Sequence, residues 1–306
     1  ACTYFAGVNY YPKQTLYFEK FFYTPTENSL KGNAVREIVE DGAGRIWIGT
    51  EDAGLNVYDP ETLSFTNYAP EDRKSNLSHT NIHGLLVDQN HLWIGTFEHG
   101  LDVMDLKTRK VIRHYSYGPG PNDLKSNFIH SLYKTSSGNI LVGTSNGLFT
   151  YNRGKDNFVP LHFFPKNSFF SSITEDSKGN IWVGTFKTGV YFYNPRLQKC
   201  GRLKIIYRGR EKLAEYRITN LSVDLQQNLL ICTEDGLYRL NPSTMQTQVY
   251  TVGNGLPSNL IYSAVPDNNG LLWITTSKGL VKLDVNTGRS RTFTQANGIL
   301  SDQFNY

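Results

Sequence analysis

The chain has 306 residues, with 31 Lys or Arg against 27 Asp or Glu and a net charge of +4. That balance is too mild and too evenly spread to mark a nucleic-acid or anionic-membrane partner, and no apolar run approaches the roughly 18 residues of a membrane span. Aromatic residues are 13% and charged residues only 19%, a balance that suits packed sheets better than helices. Ala1-Cys2-Thr3 aligns with the middle of a repeat, so we expect the chain to be a piece of a longer protein.

In chain order, the first residues read as the tail of a unit: Cys2-Thr3 ends one strand, Val8 to Tyr11 forms a second and Leu16 to Phe22 a third. The first complete unit runs from residue 34 to 68. Ala34 to Glu40 alternates as a strand and stops at the turn Asp41-Gly42-Ala43-Gly44, where Asp bonds nearby backbone and Gly supplies positive φ. Arg45 to Thr50 is short, bulky and β-rich. Glu51-Asp52-Ala53-Gly54 turns into Leu55 to Tyr58, and Asp59-Pro60-Glu61-Thr62 turns into Phe65 to Tyr68. These are four short antiparallel strands, a to d, joined by three tight turns and followed by a long polar loop.

The unit recurs along the whole chain. Thr3, Thr50, Thr96, Thr144, Thr185, Thr233 and Thr276 occupy one slot, spaced 47, 46, 48, 41, 48 and 43 residues apart. Each is followed by a glycine and an aliphatic residue, as in Gly54-Leu55 and Gly236-Leu237. The middle of strand b holds Trp47, Trp93, Leu141, Trp182, Leu230 and Trp273, so all four tryptophans share one register. A large ring at the same place in every sheet predicts packing against the next sheet. A four-stranded unit with a period in the forties describes a β-propeller. Leu300 to Tyr306 resembles the start of strand a at Leu256 to Tyr262, so the C-terminus is predicted to complete the N-terminal half-blade. The expectation is an all-β, seven-bladed β-propeller of four-stranded antiparallel blades in one domain, 1–306. Its parts are a partial blade 1–30, blades 31–75, 76–122, 123–165, 166–213, 214–256 and 257–299, and a closing strand 300–306. Three cysteines, Cys2, Cys200 and Cys232, show no metal or disulfide spacing and read as small buried hydrophobes. No cofactor or metal is expected.

The unit D-x-x-G-x-I-W-I-G-T-x-x-G-L-x-x-Y-D-P-x-T-x-x-F-x-x-Y, seen at Asp41 to Tyr68 and again from Asp176 to Pro195, resembles the two-component regulator propeller repeat. Leu225-Gln226-Gln227, which lacks the turn glycine, and the unit around Leu141, which lacks the Trp, depart from it. The opening Thr3 to Tyr11 and closing Gln303 to Tyr306 look like the second of two tandem propellers. The resemblance implies a non-catalytic periplasmic sensor of a hybrid two-component regulator of Bacteroidetes, signalling to a histidine kinase. It implies glycan-derived oligosaccharides as ligands. The implied partners are a neighbouring propeller and β-sandwich of the same chain and, in the full-length protein, a second copy of it. Neither nucleic acid nor membrane insertion by this segment is implied.

Loops vary between copies while strands do not, which makes the face shared by the d–a and b–c loops the candidate site. At the entrance to strand a stand Asn33, Asn127 and Asn259, with Asn81 close by. Further into the strand the register holds Arg36, His83, His130 and Tyr262. The b–c loops add Phe97, His99 and Phe186. Amide, guanidinium and imidazole groups bond sugar hydroxyls, and the aromatic rings offer a face to a pyranose. The plainer reading has the asparagines capping turns and the histidines filling the channel wall, with a structural or dimerising propeller whose ligand binds elsewhere.

Enzyme readings find little support. Thr174 to Trp182 only superficially resembles a sialidase box, the ring a lactonase would fill with carboxylates holds asparagines, and a lyase would need an activated histidine such as His83 or His130. No G-x-S-x-G, H-E-x-x-H or P-loop is present.

Overall fold

The computed structural model describes residues 2–3, 7–8, 18–26, 28–72, 75–165, 168–207, 209–213 and 216–304. Among them are six four-stranded antiparallel sheets, each in the sequential order a-b-c-d. Their a strands are Val35–Glu40, Ile82–Asp88, Ile129–Lys134, Phe170–Glu175, Ile218–Val223 and Ile261–Pro266, for blades I to VI. The matching b strands are Ile46–Thr50, His91–Thr96, Ile140–Thr144, Ile181–Thr185, Leu229–Thr233 and Leu272–Thr276. The chain is therefore an all-β propeller of four-stranded blades, as the period required.

The repeat motif has a physical reading at each conserved slot. The threonine hydroxyl closes the b–c turn by donating to the glycine carbonyl beyond it, at 3.0 Å for Thr50 to Gly54 and 2.8 Å for Thr96 to Gly100, Thr185 to Gly189, Thr233 to Gly236 and Thr276 to Gly279. The glycine before it clears a path for the next blade. A Cβ on Gly49 would lie 2.6 Å from Ile82 Cγ2, and one on Gly184 2.6 Å from Ile218 Cγ2. The turn aspartate does more than hold its turn. Asp41 accepts from Ala43 N and Arg45 N, and its second oxygen takes the indole N–H of Trp47 at 2.8 Å. Asp176 holds Trp182 at 2.9 Å and Asp267 holds Trp273 at 3.3 Å. Where Leu141 replaces Trp, Thr135 replaces Asp. In blade V, with Leu230 in the slot, Arg239 Nε takes the corresponding oxygen of Asp224 at 2.6 Å. Gln227 adopts φ 63° there, so the turn keeps its shape without a glycine.

Five buried clusters join successive sheets, I–II, II–III, III–IV, IV–V and V–VI. The strand-b slot contributes to each one, through Trp47, Trp93, Leu141, Trp182 and Leu230, so these residues pack against the following blade as expected. Among the described residues no such cluster joins blade VI to blade I. The faces that would form it are open: Ile38 is 64% exposed, whereas its counterpart Leu85 is 8% exposed.

The described residues thus contain six four-stranded blades, and the predicted seventh is not found among them. Cys2–Thr3 pairs with Gly7–Val8 as a two-stranded hairpin. The predicted strand Leu16 to Phe22 is not found over residues 18–22, which form no ladder. Phe18 instead packs edge-on against Phe293 at 5.2 Å and Trp273 at 6.4 Å. The rest of the predicted strand Val8 to Tyr11, and Asn305 and Tyr306, lie outside the described residues. The segment before them follows a route used elsewhere in the ring. Gly54 N–H bonds Thr80 O, and Gly100 N–H bonds Asn127 O, where the chain enters the next blade. Gly279 N–H bonds Asp302 O in the same manner.

One further correction concerns the cysteines. Cys232 is a buried thiol, but Cys200 is exposed, because it lies on the outermost strand, Lys199–Arg202. Cys2 lies where side chains are not described. The loop before blade V contains a hairpin, Ile205–Tyr207 with Arg210–Lys212, which seats Ile205 and Leu213 in the IV–V cluster.

Candidate functional site: the channel mouth

Every strand a carries a register shift against strand b at its second residue. The pairings break at Val35/Glu37, Ile82/Gly84, Ile129/Ser131, Phe170/Ser172, Ile218/Asn220 and Ile261/Ser263. The unpaired residues are Arg36, His83, His130, Ser171, Thr219 and Tyr262. A β-bulge leaves its extra residue out of the ladder and re-aims its side chain. Five of these six, all but His83, line a cavity of about 240 Å³ together with Glu37, Phe186, Arg217, Asn220 and Ser263.

Beside the cavity the mouth is aromatic. Phe128 stacks on His130 at 4.9 Å and meets Phe97 edge-on at 4.5 Å. Phe169 meets His130 at 4.0 Å and Phe186 at 4.1 Å, both edge-on. The Arg217 guanidinium lies 4.2 Å from the Phe186 ring centre, a cation–π contact. His83 and His130 approach to 5.5 Å. Arg36 ties the ring to the first b–c loop, pairing with Glu51 at 3.1 Å while donating to His83 Nδ1 at 3.2 Å.

The electrostatics follow from burial beside guanidinium groups. Burial, helped by Arg36, lowers the His83 pKa to about 4. Burial, helped by His83, lowers His130 to about 3. Both rings are therefore neutral near pH 7, which suits His83 Nδ1 as an acceptor. Glu37 moves the other way, raised by burial to about 7 against the pull of Arg36.

These shifts set opposite slopes of stability with pH. The histidines, with folded pKa values below the ordinary 6.5, contribute stability that is lost as pH falls below that value. Glu37, with a folded pKa above the ordinary 4.5, contributes stability that is lost as pH rises toward 7. Relative to the parent, Glu37→Gln is expected to make stability climb more steeply from pH 4.5 to 6.5, and His83→Gln with His130→Gln less steeply. Urea unfolding across that range checks both, and parallel curves for all three proteins would refute the assignment.

Four stretches, residues 29–52, 123–146, 164–187 and 255–278, match the family profile described as two component regulator propeller. Together these stretches cover under half of the chain, and over them it is similar to two-component regulator propeller repeats. No curated protein sequence matches it. Among solved structures, it is similar to the extracellular domain of a hybrid two-component system from B. thetaiotaomicron, with a TM-score of 0.73 and 20% identity over 90% of this chain and 37% of that one. A second such domain from the same organism gives a TM-score of 0.58 and 23% identity over 85% of this chain and 39% of that one. Virginiamycin B lyase from Staphylococcus aureus gives 0.65 and 12% over 85% and 84%. At these identities the likeness is one of fold. The chain thus spans well under half the length of the first two structures. No helix among its described residues is long and apolar enough to cross a membrane.

The predicted site residues separate into two groups. Arg36, His130, Phe186 and Tyr262 line one cavity, with His83 and Phe97 packed beside it. The asparagines do not join them. Asn127 Oδ1 accepts from Tyr117 N and Asn259 Oδ1 accepts from Val252 N, so both brace their d–a loops. Asn33 is exposed on the seam side, its backbone N–H bonded to Asp52. Asn81 N bonds His79 Nδ1. His99 sits on the rim, stacked on His79 at 3.9 Å. Sequence reasoning missed Ser171 and Thr219, which the strand-a register contained. It also missed Glu37, Asn220, Ser263, Arg217, Phe128 and Phe169.

Proposed function

We propose that this chain is the sensor propeller of a hybrid two-component regulator, lying outside the cytoplasm and working without catalysis. It binds a glycan-derived oligosaccharide at the channel mouth, and the signal passes by domain reorientation to a histidine kinase. The carrying observation is the convergence of strand-a bulge residues from five blades on one cavity whose wall mixes hydroxyl, amide, guanidinium and neutral imidazole groups with aromatic rings. That combination suits sugar hydroxyls and pyranose faces. The repeat family supports the regulatory class. The neighbouring propeller and β-sandwich, and a second copy of the full-length protein, complete the assembly in this reading.

The ring is proposed to close with a seventh blade, built from the N-terminal hairpin and the C-terminal segment. The open face at Ile38 and the bond from Gly279 to Asp302 support that closure.

Arg36→Ala with His83→Ala is expected to raise the inducing glycan concentration at least about tenfold in the full-length regulator, the scale of losing one charge-assisted hydrogen bond. A reporter-gene titration reads it, with a thermal melt to show that folding is unchanged. An unaltered response would move the ligand elsewhere and leave this propeller a structural module.

A further inference from the structure

We propose, resting on the channel-mouth reading above, that Glu37 is the specificity-determining residue of the mouth, its carboxylate taking two adjacent hydroxyls of one uncharged sugar ring. Glu37 follows the bulge residue of blade I, where strand a rejoins strand b opposite Gly49. The same slot holds Gly84, Ser131, Ser172, Asn220 and Ser263 in the other blades. Of the six, blade I alone places an ionisable group there. Glu37 lines the cavity of about 240 Å³ and is partly exposed. Its side chain makes no hydrogen bond and no ion pair with any described residue. Ser171 Oγ and Asn220 Oδ1, by contrast, are sealed away from solvent. An acceptor left open in a cavity wall is matched by a donor from outside the protein.

The surroundings decide the kind of donor. The charged and titratable groups around Glu37 are Arg36 and Glu51 of blade I, His83 of blade II, His130 of blade III, Arg217 before blade V and Tyr262 of blade VI. Arg36 is already matched by Glu51 and His83, and Arg217 lies against Phe186. An acidic sugar would bring a second carboxylate against Glu37, and an amino sugar would bring an ammonium against the two guanidiniums. A metal ion would lack ligands, since no group of three or more His, Cys, Asp or Glu occurs among the described residues. Hydroxyls carry no charge to repel, and one can donate to each carboxylate oxygen. The cavity is smaller than the roughly 300–1,000 Å³ of a drug-sized pocket, which suits one ring at the end of an oligosaccharide. The ladder fixes the Glu37 backbone before binding, so less entropy is lost. Burial holds the free carboxyl at a pKa of about 7 against the pull of Arg36. Two hydroxyl donors favour the ionised form and lower that value in the complex. Binding therefore expels a proton below pH 7 and strengthens as pH rises through 7. His83 and His130, at about 4 and 3, stay neutral across that range.

The test uses the complete extracytoplasmic region and isothermal titration with neutral xylan, arabinan, galactan and mannan fragments, beside oligogalacturonide and chitosan fragments as charged controls. Each is run at pH 6 and pH 8 in buffers of different ionisation heat. Expected is a neutral fragment that binds about tenfold more tightly at pH 8 than at pH 6 and releases most of one proton at pH 6. Glu37→Gln should abolish the pH dependence and the proton release, and bind about tenfold more weakly at pH 8. Glu37→Asp should keep the pH dependence. Equal binding at the two pH values without proton release, or an unchanged response in Glu37→Gln, would overturn the role of Glu37 and leave the channel-mouth reading standing. Binding of charged fragments alone would overturn the uncharged-sugar assignment in the same way. Absence of binding by every fragment would overturn both readings. The comparison between pH values needs no variant, so a poorly folding substitution does not blunt it.

Discussion

Trp47→Ala is expected to cost about 3–5 kcal/mol of folding stability, the range for deleting a large buried aromatic. Trp47 is fully buried in the I–II cluster and stacks on Tyr68 at 6.2 Å. Its indole N–H also satisfies Asp41. A comparison between two tryptophans separates packing from that bond. Trp47→Phe removes the hydrogen bond and should cost roughly 1 kcal/mol more than Trp93→Phe, because Trp93 Nε1 is buried with no partner. Blade II has a shorter a–b turn, and its Asp88 bonds Lys134 and Arg153 of blade III instead. Denaturant unfolding followed by tryptophan fluorescence and circular dichroism measures these differences. Equal losses for the two Phe variants would remove the aspartate–indole bond from the account.

The second large effect lies at the blade seams. Gly49→Val places its new side chain against Ile82, and overpacking of this kind costs about 1–3 kcal/mol. Ile82→Ala alone leaves a cavity in the same cluster and costs about 2–5 kcal/mol. Together the two should lose less than the sum of the single changes, with a coupling of about 0.5–3 kcal/mol. The clash is local, since a Cβ on Gly49 comes within 2.6 Å of Ile82 Cγ2. Strict additivity in the double-mutant cycle would show that the glycine is there for another reason.

The sequence made the blades legible because strand, turn and slot recur at a fixed period. Trp47, Thr50 and Gly54 each solve a problem posed again in every blade, so their spacing exposes the repeat. The blade count was less legible, since the expected seventh blade was to be assembled from two chain ends that share no continuous pattern. In the site, Arg36, His83, His130 and Tyr262 were visible as one register, but Ser171 and Thr219 share that register and carry no distinctive chemistry. The asparagines misled for a related reason. A loop-entrance amide that braces backbone, as Asn127 and Asn259 do, has the same letter and position as one facing a ligand. Only the fold tells them apart. Arg217 reaches the cavity, and Phe169 the rings beside it, through loop geometry, which no strand period encodes.

The shift in each strand a has a consequence for how such a protein diversifies. The residue at that point belongs to no cross-strand pair, so replacing it leaves every rung of the ladder intact. The six positions act as separately exchangeable letters around one opening, here Arg, His, His, Ser, Thr and Tyr. The lining of that opening can then change blade by blade while the wheel that carries it stays the same.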